Sequence, residues 1–236
     1  MKRNIFADKA SLVLRRMLRE PGRRWVVRDF VGTDGVSLGL AQAVLEAVEV
    51  MGCAERTRKG PASFTLLTNP DMLIAEWVKA YSVSRNEIRT FYLPYPDAIK
   101  RIKNALVGLP YAFTLHAGAN FLTSWVKTEH IHLYLDVTAE PDLLLNVRQR
   151  LGLKELVNGG NVHIIRPYYA HSIFFNNQKI NGYSIVSTLQ LYLDLYNYQP
   201  RGREHPPQVA AFGPAFNTHC RFRALGVHRV VSSGQF

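Results

Sequence analysis

Between Val36 and Leu67 the apolar spacing of the chain switches from helical to strand-like at one residue, Gly52. Upstream, Leu38, Ala41, Val44, Leu45 and Val48 fall on the inner face of a helix, with Ser37 placed as its N-cap and Gly52 at its C-terminal end. Downstream, Cys53 to Thr57 and Ser63 to Leu67 read as two short strands joined by Arg58-Lys59-Gly60-Pro61, where Gly and Pro supply the turn. Two helices precede this unit. Ala10, Val13, Leu14, Met17 and Leu18 mark one from Ala7 to Leu18, stopped by Pro21-Gly22. Val27, Phe30 and Val31 mark another from Val26 to Val31, about two turns long, before the turn Gly32-Thr33-Asp34-Gly35. Three helices followed by a cation-tipped hairpin is the order of a winged helix-turn-helix over residues 1–68.

Charge supports that reading without deciding it. The net charge of +11 is concentrated at the two ends. Residues 1–60 hold 12 Lys/Arg against 7 Asp/Glu, 61–198 hold 12 against 10, and 199–236 hold 5 against 1. A basic segment attracts polyanions through counterion release, whereas the plain alternative is a solvated face. On a DNA-binding reading, Ser37, Gly39, Gln42, Ala43 and Glu46 face outward from the third helix. Gln42 is the best base reader there, since a carboxamide pairs with adenine. Arg23, Arg24, Arg28, Arg56, Arg58 and Lys59 would bind phosphates, which sets register and affinity rather than sequence preference. Winged helices also serve as protein-interaction modules, and Leu40, Ala43 and Ala47 offer only shape and methyl contacts.

Asn69-Pro70-Asp71 starts a helix to Tyr81 that leads into a second region, 69–198. Strands at Ile88–Leu93, Tyr111–Leu115 and His130–Asp136 alternate with helices at Asp97–Leu106, Ala117–Val126 and Pro141–Leu151. Strands at Val162–Arg166, Ser172–Phe175 and Tyr183–Val186 follow, and Ser187 caps a last helix, Thr188–Tyr198. That order predicts a mixed α/β domain, and an α+β protein as a whole. Residues 199–236, interrupted by Pro200, Pro206, Pro207 and Pro214, read as an irregular basic tail.

Chemical signatures are sparse. No GxSxG, GxxxxGK[ST], HExxH or GxGxxG occurs. His130 and His132 would share a strand face, but no third ligand sits at a supporting spacing, so a polar face is expected rather than a metal site. Nucleotidyl transfer needs two carboxylates one residue apart on a strand to grip divalent metals. In "HIHLYLDV" Asp136 stands alone and Tyr134 holds its partner's place. If the sheet is nucleotidyltransferase-like, it is degenerate, and no catalytic residue, cofactor or metal is expected. The rival expectation is an enzyme acting on nucleotides or RNA through the second domain. Cys53 and Cys220 lie outside any metal spacing and read as reduced. No apolar run approaches the roughly 20 residues that span a bilayer. The opening MKRNIFADK lacks a signal peptide's apolar core, which places the chain in the cytoplasm.

The stretches "RRWVVRDF", "VSLGLAQAVLEAVEVMG", "LPYAFTLHAGANFLTSWV", "HIHLYLD" and "GGNVHIIRPYY…NGYSIVSTLQLYLDLYNYQPRGRE" resemble the AbiEi-like antitoxins of type IV toxin–antitoxin systems, over about residues 5 to 204. The resemblance implies an N-terminal winged helix that binds the operator of its own operon. It also implies a C-terminal domain that counteracts a cognate toxin of nucleotidyltransferase type. The implied partners are double-stranded operator DNA and that toxin; beside them a second copy of the chain on DNA is an expected partner, and no membrane partner is expected. In that family's terms the DNA role falls on the helix Ser37 to Val50 and the wing Arg56 to Lys59. The prolines after "RGRE" depart from the helical continuation that relatives would have.

Overall fold

The computed structural model describes residues 4–32, 34–123, 128–136, 142–196 and 198. The expected basic tail, 199–236 with Cys220, lies outside the described residues, as do Pro141, Val126 and Thr33.

Helix α1 (Asp8–Arg19) buries Leu12, Val13, Leu14, Met17 and Leu18. The short second helix of the sequence reading is a single 3-10 turn, Val27–Phe30, not two turns. Its length is set from a distance. Trp25 pairs with Thr65 through two backbone hydrogen bonds of 2.7 and 2.8 Å, so the chain arrives extended, and the Asp29 carboxylate takes the Val26 N–H at 2.9 Å. Helix α2 (Leu38–Val50) is capped by Ser37, whose hydroxyl accepts from the Leu40 N–H, and it seats Ala41, Val44, Leu45 and Val48 against the core. Leu38 departs from the expected inner face and is 55% exposed, because it stands at the first helical position, ahead of the buried stripe. The hairpin strands are β1 (Ala54–Thr57) and β2 (Phe64–Leu67), antiparallel, with Ala54 opposite Leu67.

Helix α3 (Pro70–Ala80) begins as expected: the Asn69 side chain accepts from the Met72 N–H and Pro70 occupies the first turn, where its missing N–H costs nothing. Beyond it lie β3 (Glu87–Phe91), α4 (Ala98–Ala105), β4 (Tyr111–Thr114), α5 (Leu115–Thr123), β5 (Ile131–Leu135), α6 (Leu143–Leu151), β6 (Val162–Arg166), β7 (Gln178–Ile180), β8 (Tyr183–Ile185) and α7 (Thr188–Tyr196). Six strands form a mixed sheet in the order β3-β6-β5-β4-β8-β7, parallel at β5/β6 and β4/β8 and antiparallel elsewhere. The protein is thus α+β, as the alternating pattern predicts.

One segment departs from expectation. Ser172–Phe175 is a run of turns rather than a strand, because the Asp8 carboxylate at the start of α1 accepts from the His171 and Ser172 N–H groups and folds the segment against that helix. The strand appears after it, at Gln178–Ile180. It closes a tight hairpin at Asn181-Gly182, where both residues have positive φ, 51° and 77°.

The two sheet faces carry different partners. On one, Phe113, Leu133, Ile164 and Ile185 pack against Ala98 and Ile102 of α4 and Val147 of α6. On the other, Ala112, Tyr134 and Ile165 join α5 and α7, and the same apolar cluster continues without a break through Trp77 of α3 into α1, α2 and Trp25.

Candidate nucleic-acid interface

The outer side of α2 and the hairpin beside it carry a lattice of charges. Ser37, Gly39 and Glu46 are exposed; Gln42 and Ala43 are half-buried. The Gln42 carboxamide donates to Glu46 at 2.6 Å and lies 3.5 Å from the Arg56 guanidinium. Arg58 reaches across from the hairpin and makes two parallel hydrogen bonds to Glu49, at 2.7 and 2.5 Å. Those bonds hold the Glu49 carboxyl below its ordinary range and raise the Arg58 guanidinium. Arg56 lies between Glu46 and Glu49, 3.7 and 3.8 Å from them. Two of the three hairpin cations therefore rest on acidic positions of α2, and those carboxylates explain how a charged hairpin lies against a helix.

The remaining basic positions divide in the same way. Arg23 pairs with Glu20 at 2.9 Å and Asp29 at 3.5 Å and stacks on Trp25. Arg24 lies over the Phe64 ring, 4.8 Å from its centre, and Arg28 and Lys59 are exposed. Arg24, Arg28 and Lys59 have no ion pair among the described residues. Such side chains stay available to an incoming anion, whereas Arg23, Arg56 and Arg58 must first exchange a carboxylate for it.

At the far end of the sheet, parallel pairing of β5 and β6 brings His163 beside the two histidines of the strand motif. His130 Nδ1 lies 2.9 Å from His163 Nε2, and the His132 and His163 rings stack at 4.3 Å. Along the sequence no third histidine stands near the pair; in space His163 joins it, as a ring contact and not as a third ligand. Nor is the face simply polar: His132 is buried, and its Nε2 lies 3.1 Å from the Tyr198 hydroxyl. Burial, together with the neighbouring imidazoles, lowers His132 to about 3 and His163 to about 4. No group of three or more His, Cys, Asp or Glu among the described residues is arranged to hold a metal ion.

A family described as "Transcriptional regulator, AbiEi antitoxin, Type IV TA system" matches residues 66–210, more than half of the chain. The chain belongs to the AbiEi antitoxin family. It is an antitoxin-type transcriptional regulator. The match begins at Leu66, so α1, α2 and most of the hairpin lie ahead of it. No curated protein and no solved structure gives a match. No helix among the described residues is long and apolar enough to cross a membrane.

Within the AbiEi-matched region lies a polar centre that sequence reasoning missed. Asp194 of α7 is fully buried and accepts from Thr114 (2.5 Å), Tyr81 (2.5 Å), Gln190 (2.7 Å) and Tyr134 (3.1 Å). Burial pushes its carboxyl up to about 6 against the lowering effect of those donors. Gln190 in turn accepts from Arg15 of α1 at 2.5 Å, and the Arg15 guanidinium lies over Trp77 and Tyr169. The only hints in sequence are spacings: Ser11 and Arg15 sit four apart on α1, Gln190 and Asp194 four apart on α7, each pair on a buried face.

Proposed function

We propose that residues 1–68 form a winged helix-turn-helix that binds the operator of the protein's own operon, and that residues 69–198 counteract a cognate toxin of nucleotidyltransferase type. The observation that carries the DNA reading is the Ser37-capped helix α2, seated on α1 with Gly39, Gln42, Ala43 and Glu46 on its outer side, beside a hairpin whose Lys59 is unpaired. Such a helix presents its first turns to a major groove while the hairpin tip follows the backbone. Arg24, Arg28 and Lys59 bind phosphates directly. Arg23, Arg56 and Arg58 join them as phosphate displaces the carboxylates. Gln42 reads a base edge, and Glu46, which holds its amide, orients it.

The sheet unit is non-catalytic in this reading, a degenerate nucleotidyltransferase-like scaffold in a cytoplasmic regulator. Its support is Tyr134, which stands where a second metal-binding carboxylate would be needed and turns its hydroxyl to the buried Asp194.

Salt-titrated binding of the full chain to DNA from upstream of its own gene tests the first half. Nanomolar-to-micromolar affinity that falls steeply with salt is expected, and equal affinity for unrelated duplex would remove the operator assignment. Co-expression with a neighbouring toxin gene tests the second half. Metal-dependent transfer of label from a nucleoside triphosphate, lost in Asp136→Asn, would replace it with the enzymatic reading.

A further inference from the structure

Between α1 and the start of α7 lies a cleft of about 220 Å³, with Arg15 and Arg19 on one wall, Asn177 and Gln178 on another, and Ser187 and Thr188 at its floor. A single water occupies ~30 Å³ and drug-sized ligands need upwards of ~300 Å³, so the space suits one small group. Its chemistry is one-sided. None of the residues lining it is acidic. Arg19 is exposed and has no ion pair among the described residues, and at the start of the nine-residue helix α7 the Ser187 hydroxyl takes the Gln190 N–H at 3.3 Å, which leaves the Thr188 and Leu189 N–H groups without an acceptor in the helix.

Arg15 supplies the independent sign that something is missing. It is 3% exposed, yet its hydrogen-bonded partners are neutral: Nε reaches Ser11 Oγ at 3.4 Å, Nη2 donates to Gln190, and Nη1 is buried with no partner. A desolvated guanidinium with an unspent donor is costly unless an acceptor arrives. Asn177 Oδ1 is also buried without a partner. A half-turn of that amide presents N–H₂ in its place and adds a second donor.

We propose that this cleft binds a phosphate group, held by Arg15 Nη1, Arg19, the Asn177 amide and the N-terminus of α7. A guanidinium beside a helix N-terminus is a recurrent way to hold a tetrahedral oxyanion. The bound group is either free phosphate or the terminal phosphate of a small nucleotide. It bridges α1 and α7, and it does not depend on the DNA or toxin assignments above.

Thermal unfolding of the full chain is followed against rising potassium phosphate, with potassium chloride matched in ionic strength. Phosphate also stabilises proteins by exclusion from their surface, an effect that does not saturate and is shared by variants. A bound phosphate instead raises the melting temperature along a saturating curve. Its half-maximal concentration is expected to rise at least tenfold in Arg19→Ala and in Asn177→Leu, both of which leave the Asp194 network intact. AMP acting at lower concentration than phosphate assigns a nucleotide, and AMP acting at equal or higher concentration assigns the free ion. A non-saturating rise, or a saturating one unchanged in both variants, overturns the site.

Discussion

Two sets of charges in this protein look alike on paper and do opposite work. On the outside, Arg58 meets Glu49 where water competes for each bond, and the half-buried Arg56 lies between Glu46 and Glu49 at the edge of the same surface. Inside, Arg15 and Asp194 are joined through Gln190, and all three side chains are buried. Exposed ion pairs contribute little to stability and exchange readily, which suits a surface that must give up its carboxylates to phosphates. Buried charges held by neutral partners are hard to uncouple, because each lost partner leaves a desolvated group behind.

The sharpest way to break that contrast is to remove Asp194. Asp194→Ala removes the shared acceptor of Thr114, Tyr81, Tyr134 and Gln190 at once, and it should cost about 3–5 kcal/mol in chemical denaturation. A loss within error of zero would mean that the network is decorative.

Acid should act next in size. His132 and His163 have folded-state values of about 3 and about 4, below the ~6.5 of an unfolded imidazole, so the unfolded chain binds more protons from pH ~6.5 downward and stability falls across that window. Asp194, raised to about 6 from an ordinary ~3.9, works in the other direction: the folded state binds the extra proton between about 4 and 6, so this group alone favours folding as pH drops. Two histidines with wide shifts outweigh one carboxyl. Denaturation midpoints measured from pH 7 to 4 should therefore fall, and less steeply in His132→Phe. An identical slope in that variant would remove His132 as the cause.

Smaller effects belong to the outer set. Replacing Arg24, Arg28 and Lys59 together by Ala should flatten the salt dependence of operator binding by about one unit per lost contact, while the melting temperature stays put. Unchanged affinity in that triple variant would take these three positions off the DNA. Least of all, Glu49→Gln frees Arg58 and removes a negative charge facing the duplex, and should tighten DNA binding a few-fold at low salt. Weaker binding would instead make Glu49 a holder of the productive Arg58 geometry.

Local chemistry was readable from sequence, and distant chemistry was not. The Ser37 cap and the Asn69-Pro70 start depend on neighbours within a turn, and the structure places them as their residue types require. The 3-10 turn at Val27–Phe30 depends on Thr65, and the turns at Ser172–Phe175 depend on Asp8, more than 160 positions away. The β7–β8 hairpin could have been found, since Asn181-Gly182 is a strong turn signal between two short strand runs. At the candidate interface, periodicity gave the exposed Gly39 and Glu46, but Leu38, expected inside, is exposed, and Gln42 and Ala43, expected outside, are half-buried. The pairing of Arg56 and Arg58 with Glu46 and Glu49 did not follow from it, because a hairpin's tilt over a helix is not written in either one.

The unbroken apolar cluster from Trp25 through Trp77 to Tyr134 has a mechanical consequence. The N-terminal body is welded to the sheet rather than strung from it, so the two are expected to lose structure in one cooperative step and to travel together as a single lever. A head borrowed from a relative would need a matching floor of side chains before it could be seated on this base.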